Sequence, residues 1–284
     1  MEPLLEPFLN VALAVFMAAS LFETGLRVAL DQARVALGDW RFAIVSMLWA
    51  FAVCPALAVA LTRVVPLDPP HAIGLLLLAM APGAPFLPAV ASRARGDLPH
   101  VAAFILLASI GTVVVMPLAV PVVASGVATD AWTIARPLVV FVILPLAAGV
   151  ALRAVASGAA RRIQPAVGIA AAVATLQVIA LVTLLYARDF AGAVGSYAIA
   201  TLVAFLALAT AGAYVLSGAL PESQRRVLAL GLCTRNVGAA AAPLLAAGVD
   251  RRAMVMVALA VPTTILSAAL VSRWLCRLDV RRGS

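Results

Sequence analysis

The chain is 284 residues long, 65% hydrophobic and only 11% charged. A soluble domain carries about 25% charged residues, so a soluble globular fold is excluded. The net charge of +8 comes from twenty arginines without a single lysine, and on a chain with mean hydropathy +1.12 that balance bears on membrane topology, not on nucleic acid.

Apolar runs of about twenty residues, each long enough to cross a bilayer, recur from end to end. They predict an all-α polytopic membrane protein in one transmembrane domain, residues 1–284. The first span covers 4–26. It lacks a basic n-region and a small-residue cleavage site and reads as a retained helix, followed by an amphipathic turn with Arg27, Asp31 and Arg34. The second span, 40–62, carries Pro55, which can kink a helix. The third, 71–95, is interrupted, because Pro82, Gly83, Pro85 and Pro88 cannot continue a regular helix. Spans four to seven cover 97–120, 134–155, 164–186 and 191–216. The eighth, 223–247, is broken again around Arg235, which lies between Gly231 and Gly238, and the ninth, 253–276, ends in a basic tail.

Arginine placement orients these nine spans. Arg27, Arg34 and Arg41 follow the first, Arg93 and Arg95 the third, Arg153, Arg161 and Arg162 the fifth, and Arg225 and Arg226 the seventh. Arg273, Arg277, Arg281 and Arg282 close the chain, so fourteen arginines fall on alternate connections and five on the opposite side. By the positive-inside rule the amino terminus is outside the cell (inner) membrane and the carboxyl terminus cytoplasmic, as an odd number of spans requires.

Arg235 is the remaining arginine, near the middle of an apolar segment. A charge at that depth costs at least a few kcal/mol and is tolerated only against a bundle interior, a water-filled cavity or a counter-ion. The two broken segments are five spans apart and hence oppositely oriented. Paired broken helices in inverted halves point to the binding site of a secondary transporter, and a fixed guanidinium there suits an organic anion. The candidate site comprises Arg235 with Thr234, Asn236 and Cys233 beside it, and Gly83 and Phe86 from the other break. Glu23, near the end of span one, could carry a coupled proton or pair with Arg235. Its alternative is an interfacial salt bridge to Arg27 one turn on. His71 and His100 sit near span ends and read as interfacial. The cysteines, Cys54, Cys233 and Cys276, show no paired metal spacing and read as packing residues, with Cys233 set apart by its nearness to Arg235. No HExxH, GxxxxGK or serine-nucleophile motif appears, so neither an enzyme nor a cofactor is expected.

The order and spacing of several short motifs resemble the bile acid:sodium symporter family over roughly residues 8–274. Pro82-Gly83 followed by Ala94-Arg95-Gly96-Asp97 is similar to the family's PGG…(A)RG(D/N) frame. The distance from Gly25-Leu26 to Pro55 matches its GL…MP spacing, and Arg235-Asn236-Val237-Gly238 falls on its QNxG. The resemblance implies the nine-span form of the family fold, an inverted repeat in which a panel domain faces a core domain with two unwound, crossing helices. It also implies alternating-access transport.

The departures bear on sodium. The family's Ser-Asn pair in the first broken helix falls here on Leu87-Pro88, its glutamate in the second on Gly231, and its glutamine on Arg235. Its glutamine before the MP motif falls on Ala50, and its Ser and Thr after the RGD/N frame on Val101 and Ile105. A hard cation needs oxygen ligands, and these side chains supply none. The expected function is therefore secondary transport of a small organic anion across the lipid bilayer, without the family's sodium coupling and with Arg235 standing in for the cation. Two alternatives stay open: a sodium symporter using backbone carbonyl ligands, and a binding-only receptor or sensor.

Overall fold

In the computed structural model of this protein the described residues are 2–28, 30–123, 130–193, 195–245, 250 and 252–282. Hydrocarbon offers no hydrogen-bond partners, so a spanning backbone must satisfy itself, and every regular element among the described residues is helical. In chain order, α1 (Glu2–Arg27) and the short α2 (Leu30–Leu37) precede a long helix built from α3 (Trp40–Leu48) and α4 (Cys54–Val64). Next come α5 (Pro69–Ala79), α6 (Leu87–Arg93) and α7 (Leu98–Val123), then a second composite helix of α8 (Ala131–Leu138) and α9 (Leu144–Val155). The remainder is α10 (Ser157–Leu185), α11 (Ala187–Ala193), α12 (Ala198–Leu216), α13 (Glu222–Cys233), α14 (Val237–Ala241) and α15 (Ala253–Arg282).

Both composite helices owe their seam to proline. A π turn, Trp49–Val53 in one and Val139–Ile143 in the other, leads directly into Cys54-Pro55 and Leu144-Pro145. Proline has no N–H to give and crowds the carbonyl four residues back. Widening one turn relieves both while the helix continues, and Cys54 N–H reaches Trp49 O across that wider loop. The expected kink at Pro55 is thus a π turn.

Seven helices among the described residues are long and apolar enough to cross a membrane: 7–27, 40–64, 98–122, 131–155, 157–185, 198–216 and 253–278. The two segments read as interrupted, 71–95 and 223–247, fold as pairs of short helices, α5 with α6 and α13 with α14, the latter running into a 3-10 turn, Ala242–Leu245. Residues 246 and 247 of the eighth predicted span lie outside the described residues. Two of the expected span boundaries shift. The seventh span opens at Ala198, not at 191, because Gly195, Ser196 and a left-handed Tyr197 (φ 60°) separate it from α11. The sixth begins earlier than expected, at Ser157.

The helices pack in two groups. In the first, α1 lies against α9 and α10. Gly25 and Gly149 bring the α1 and α9 backbones into direct contact: a Cβ on Gly25 would stand 2.4 Å from Leu146 O, and one on Gly149 2.3 Å from Phe22 O. Small residues permit such close approach where lipid supplies no hydrophobic drive. In the second group α12 packs on α13, α5 on α15, and α3 on α7. The groups meet where α1 touches α14, α10 touches α15, and α8, continuous with α9, touches α7 and the 3-10 turn.

The arginine-rich connections gather at one pole. Asp97 N donates to Ser223 O at 3.4 Å, Arg226 Nη1 to Ala94 O at 2.9 Å, and Cys276 Sγ to Arg93 O at 2.8 Å. Val28, Ala33 and Ala102 form a small buried cluster with Val150, which adds the remaining connections.

Candidate functional site

The site is where the two broken helices cross. Helix α5 stops at Ala79 because Pro82, Gly83 and Pro85 follow, and Gly83 adopts φ 82°, a conformation side chains disfavour. Helix α13 stops at Cys233, with Thr234 extended at φ −94°, ψ 134°. Asn236 then caps the next helix, its Oδ1 accepting from Ala239 N at 3.0 Å.

The freed backbone groups satisfy one another across the crossing. Pro82 and Arg235 form an antiparallel bridge. Asn236 N donates to Ala81 O at 2.8 Å, and Gly83 N to Thr234 O at 2.9 Å with Gly231 O at 3.1 Å. Ala84 N reaches Thr234 Oγ1 at 3.3 Å. Unwound backbone at this depth is tolerated because protein encloses it, and Thr234 is fully buried.

Arg235 is 1% exposed, the largest fully buried side chain of the chain's described residues. Its guanidinium turns into the second helix group. Nη1 donates to Ala79 O, the last carbonyl of α5, at 3.2 Å. Nη2 donates to Cys54 Sγ at 3.4 Å, and the cation lies 4.7 Å from the centre of the Phe205 ring. The carbonyl end of a helix carries partial negative charge, and the ring face adds a cation–π contact. Nε is buried without a partner, and no carboxylate among the described residues pairs with the group.

Of the residues expected here, Arg235, Thr234, Asn236 and Gly83 meet at the crossing. Phe86 forms the half-buried turn that opens α6, and the ring over the cation is that of Phe205. The thiol at the guanidinium is Cys54; Cys233 is buried at the end of α13. Glu23 sits in the last turn of α1, where its Oε1 accepts from Arg27 Nε at 2.7 Å, the interfacial pairing weighed above. Sequence reasoning missed Ala79, Cys54 and Phe205 as partners. No spacing links them to Arg235, since they come from three other elements.

Four of the positions where the family's oxygens would stand are apolar and packed. Ala50, Leu87, Val101 and Ile105 are buried in the core. At Gly231 a Cβ would stand 2.5 Å from the Phe104 ring, so that ring fills the space of any longer side chain. Beside the crossing, between α1 and α10 on one side and α14 and α15 on the other, lies a small apolar cavity of about 10 Å³, room for about one water molecule. Leu13, Phe16, Val178, Val237 and Met254 line it with Thr175, whose hydroxyl donates to Ala171 O at 2.7 Å.

A model of the family described as Sodium Bile acid symporter family matches residues 14–193. The matched stretch contains the first broken segment and ends before α12, so Arg235 lies beyond it. No curated protein matches the chain.

Proposed function

The chain belongs to the Sodium Bile acid symporter family, a family of membrane transporters, and from that premise we propose that it is a sodium-independent secondary transporter of a small organic anion. One observation carries the reading: a guanidinium, 1% exposed, sits at the helix crossing without a carboxylate partner among the described residues. In this reading Arg235 is a cation that never leaves. It neutralises the carbonyl end of α5, to which it is hydrogen-bonded through Ala79, so the crossing needs no bound ion to hold its shape.

The same charge favours an anion between the two helix groups, where the small cavity beside Val237 would widen as the groups part. Its influence there is a field through protein of low dielectric. At an effective dielectric of about 20, an anion about 8 Å away gains about 2 kcal/mol. Alternating access is the rocking of the α1–α9–α10 group against the group that holds the crossing. The bundle acts as one transmembrane domain with its arginine-rich pole in the cytoplasm.

The test is flux into proteoliposomes of a panel of carboxylates and sulfonates, with sodium and with choline as the only cation. Equal rates in the two media are expected. Uptake that requires sodium would overturn the proposal and favour backbone carbonyl ligands.

A further inference from the structure

At the arginine-rich pole a histidine sits among polar groups that the transport reading does not use, with Gln224 Oε1 buried beside it without a hydrogen-bond partner. His100 lies on the first turn of α7, with its side chain 12% exposed. Its Nδ1 is 2.9 Å from Asp97 Oδ1, although not in line for a full hydrogen bond. Its Nε2 is 2.9 Å from Gln224 Nε2 and 3.3 Å from Asp39 Oδ2. Gln224 Nε2 also donates to Asp39 Oδ2 at 2.8 Å. The Phe42 ring meets the imidazole edge to face, with centroids 4.8 Å apart.

One proton arrangement satisfies both contacts of the Gln224 amide nitrogen. The Gln224 amide nitrogen carries two hydrogens, one for Asp39 and one for His100. It can give the second only to a lone pair, so Nε2 must be bare and the ring proton must sit on Nδ1, facing Asp97. Flipping the amide does not help, because it sets Oε1 against the Asp39 carboxylate, acceptor to acceptor. Asp39 is held ionised: the backbone N–H of Phe42 keeps its carboxyl below the usual range, with Gln224 and His100 adding to the effect against its partial desolvation.

We propose that these four side chains form a proton-operated latch on the amino-terminal turn of α13. When the imidazole takes a second proton, Nε2 becomes a donor and opposes the amide N–H that it accepted before. Asp39 then attracts the imidazolium directly, and Gln224 leaves. Imidazoles change charge between about pH 5 and 8, and Asp39 and Asp97 connect the ring to water, their side chains 31% and 33% exposed.

The other charged groups on elements packed against this turn are Asp31 and Arg34 of α2, Arg41 of α3, Arg93 and Arg95 around the end of α6, Glu222, Arg225 and Arg226 of α13, and Arg273 and Arg277 of α15. Arg41 lies over Trp40. Glu222, Arg225 and Arg226 bind one another, the Tyr214 carbonyl and the Ala94 carbonyl. Within hydrogen-bonding reach of the imidazole stand Asp39, Asp97 and Gln224. Helix α13 runs unbroken from this turn to Cys233, about 16 Å at 1.5 Å per residue. Acidification at this pole therefore loosens the far end of the helix that carries Arg235 to the crossing.

The chain has two histidines, so nitrogen-15 histidine labelling in lipid nanodiscs gives two ring systems, which His71→Gln assigns. At pH 8 the Nδ1–H tautomer of His100 is expected, with a bare Nε2. Between pH 8 and 5 the side-chain amide signals of Gln224 should shift with the same midpoint as the ring. Protection factors of amides 223–226 against hydrogen exchange should fall at least tenfold over that range in the wild type and stay flat in His100→Gln. An Nε2–H tautomer at pH 8, or a Gln224 amide indifferent to pH while His100 titrates, would overturn the latch. Both readouts come from the wild type, so they stand even where the variant folds poorly.

Discussion

Replacing Arg235 by methionine separates a structural arginine from a functional one. Burying a guanidinium mid-membrane costs about 2.5–3.5 kcal/mol on insertion scales. Against that, a charged donor on the Ala79 carbonyl returns about 1.5–3 kcal/mol, and a desolvated cation over the Phe205 ring about 2 kcal/mol. The contacts themselves are a 3.2 Å hydrogen bond and a 4.7 Å ring distance. Methionine keeps the apolar stem and a sulfur–aromatic contact of about 0.3–1.5 kcal/mol. The sum leaves Arg235→Met within about 1 kcal/mol of the wild type, a Tm change of less than about 4 °C. Anion binding, by contrast, loses the whole electrostatic gain of about 2 kcal/mol, about thirtyfold in Kd. Thermal melting in nanodiscs and calorimetric binding of an anion that the wild type recognises read the two effects independently. A stability loss above about 3 kcal/mol with unchanged affinity would refute the reasoning and leave Arg235 as a helix cap.

Other outcomes follow from the packing. Gly25→Ala puts a methyl 2.4 Å from the Leu146 carbonyl, a backbone atom that cannot move alone; thermal melting should show a loss of more than about 3 kcal/mol, within the range of severe core overpacking. Gly231→Ala meets the Phe104 ring at 2.5 Å, and Phe104→Leu should restore much of the lost stability, a coupling of about 1 kcal/mol or more in a double-mutant cycle. Asp39→Ala removes the cap on Phe42 N, 3.1 Å away, for about 1 kcal/mol. Because folding depresses the Asp39 pKa, this contribution is complete above about pH 4 and is lost as the pH falls through the folded value. Wild type and variant should therefore differ at neutral pH and converge in strong acid, as denaturant titrations at several pH values would show.

Much of the fold was legible before any coordinates. Hydropathy marks the long helices because each must bury its own backbone in hydrocarbon, and the prolines and glycine from Pro82 to Pro88 mark a break because they cannot donate or hold a helical turn. Boundaries were less legible. The opening of α12 at Ala198 depends on a left-handed Tyr197, a conformation that no apolar count reports. At the site, the residue types of the second break were enough to single out Arg235, Thr234 and Asn236, and they meet the first break at Ala81, Gly83 and Ala84. The direction of the guanidinium was not legible, because Phe86 and Phe205 are equally aromatic on paper.

The sequence by itself determined the membrane class and the two interruptions, and it set the expectations for the sidedness of the arginines and the loss of the family's oxygen ligands, all of which are properties of single segments or single residues. Only the tertiary structure decided that Arg235 faces Ala79, Cys54 and Phe205, that Phe104 fills the place beside Gly231, and that Asp39, His100 and Gln224 close into one network. Those contacts join residues from different helices. Local patterns fix where a helix lies along the chain, whereas the rotation and pairing of helices are set by how all of their faces pack at once.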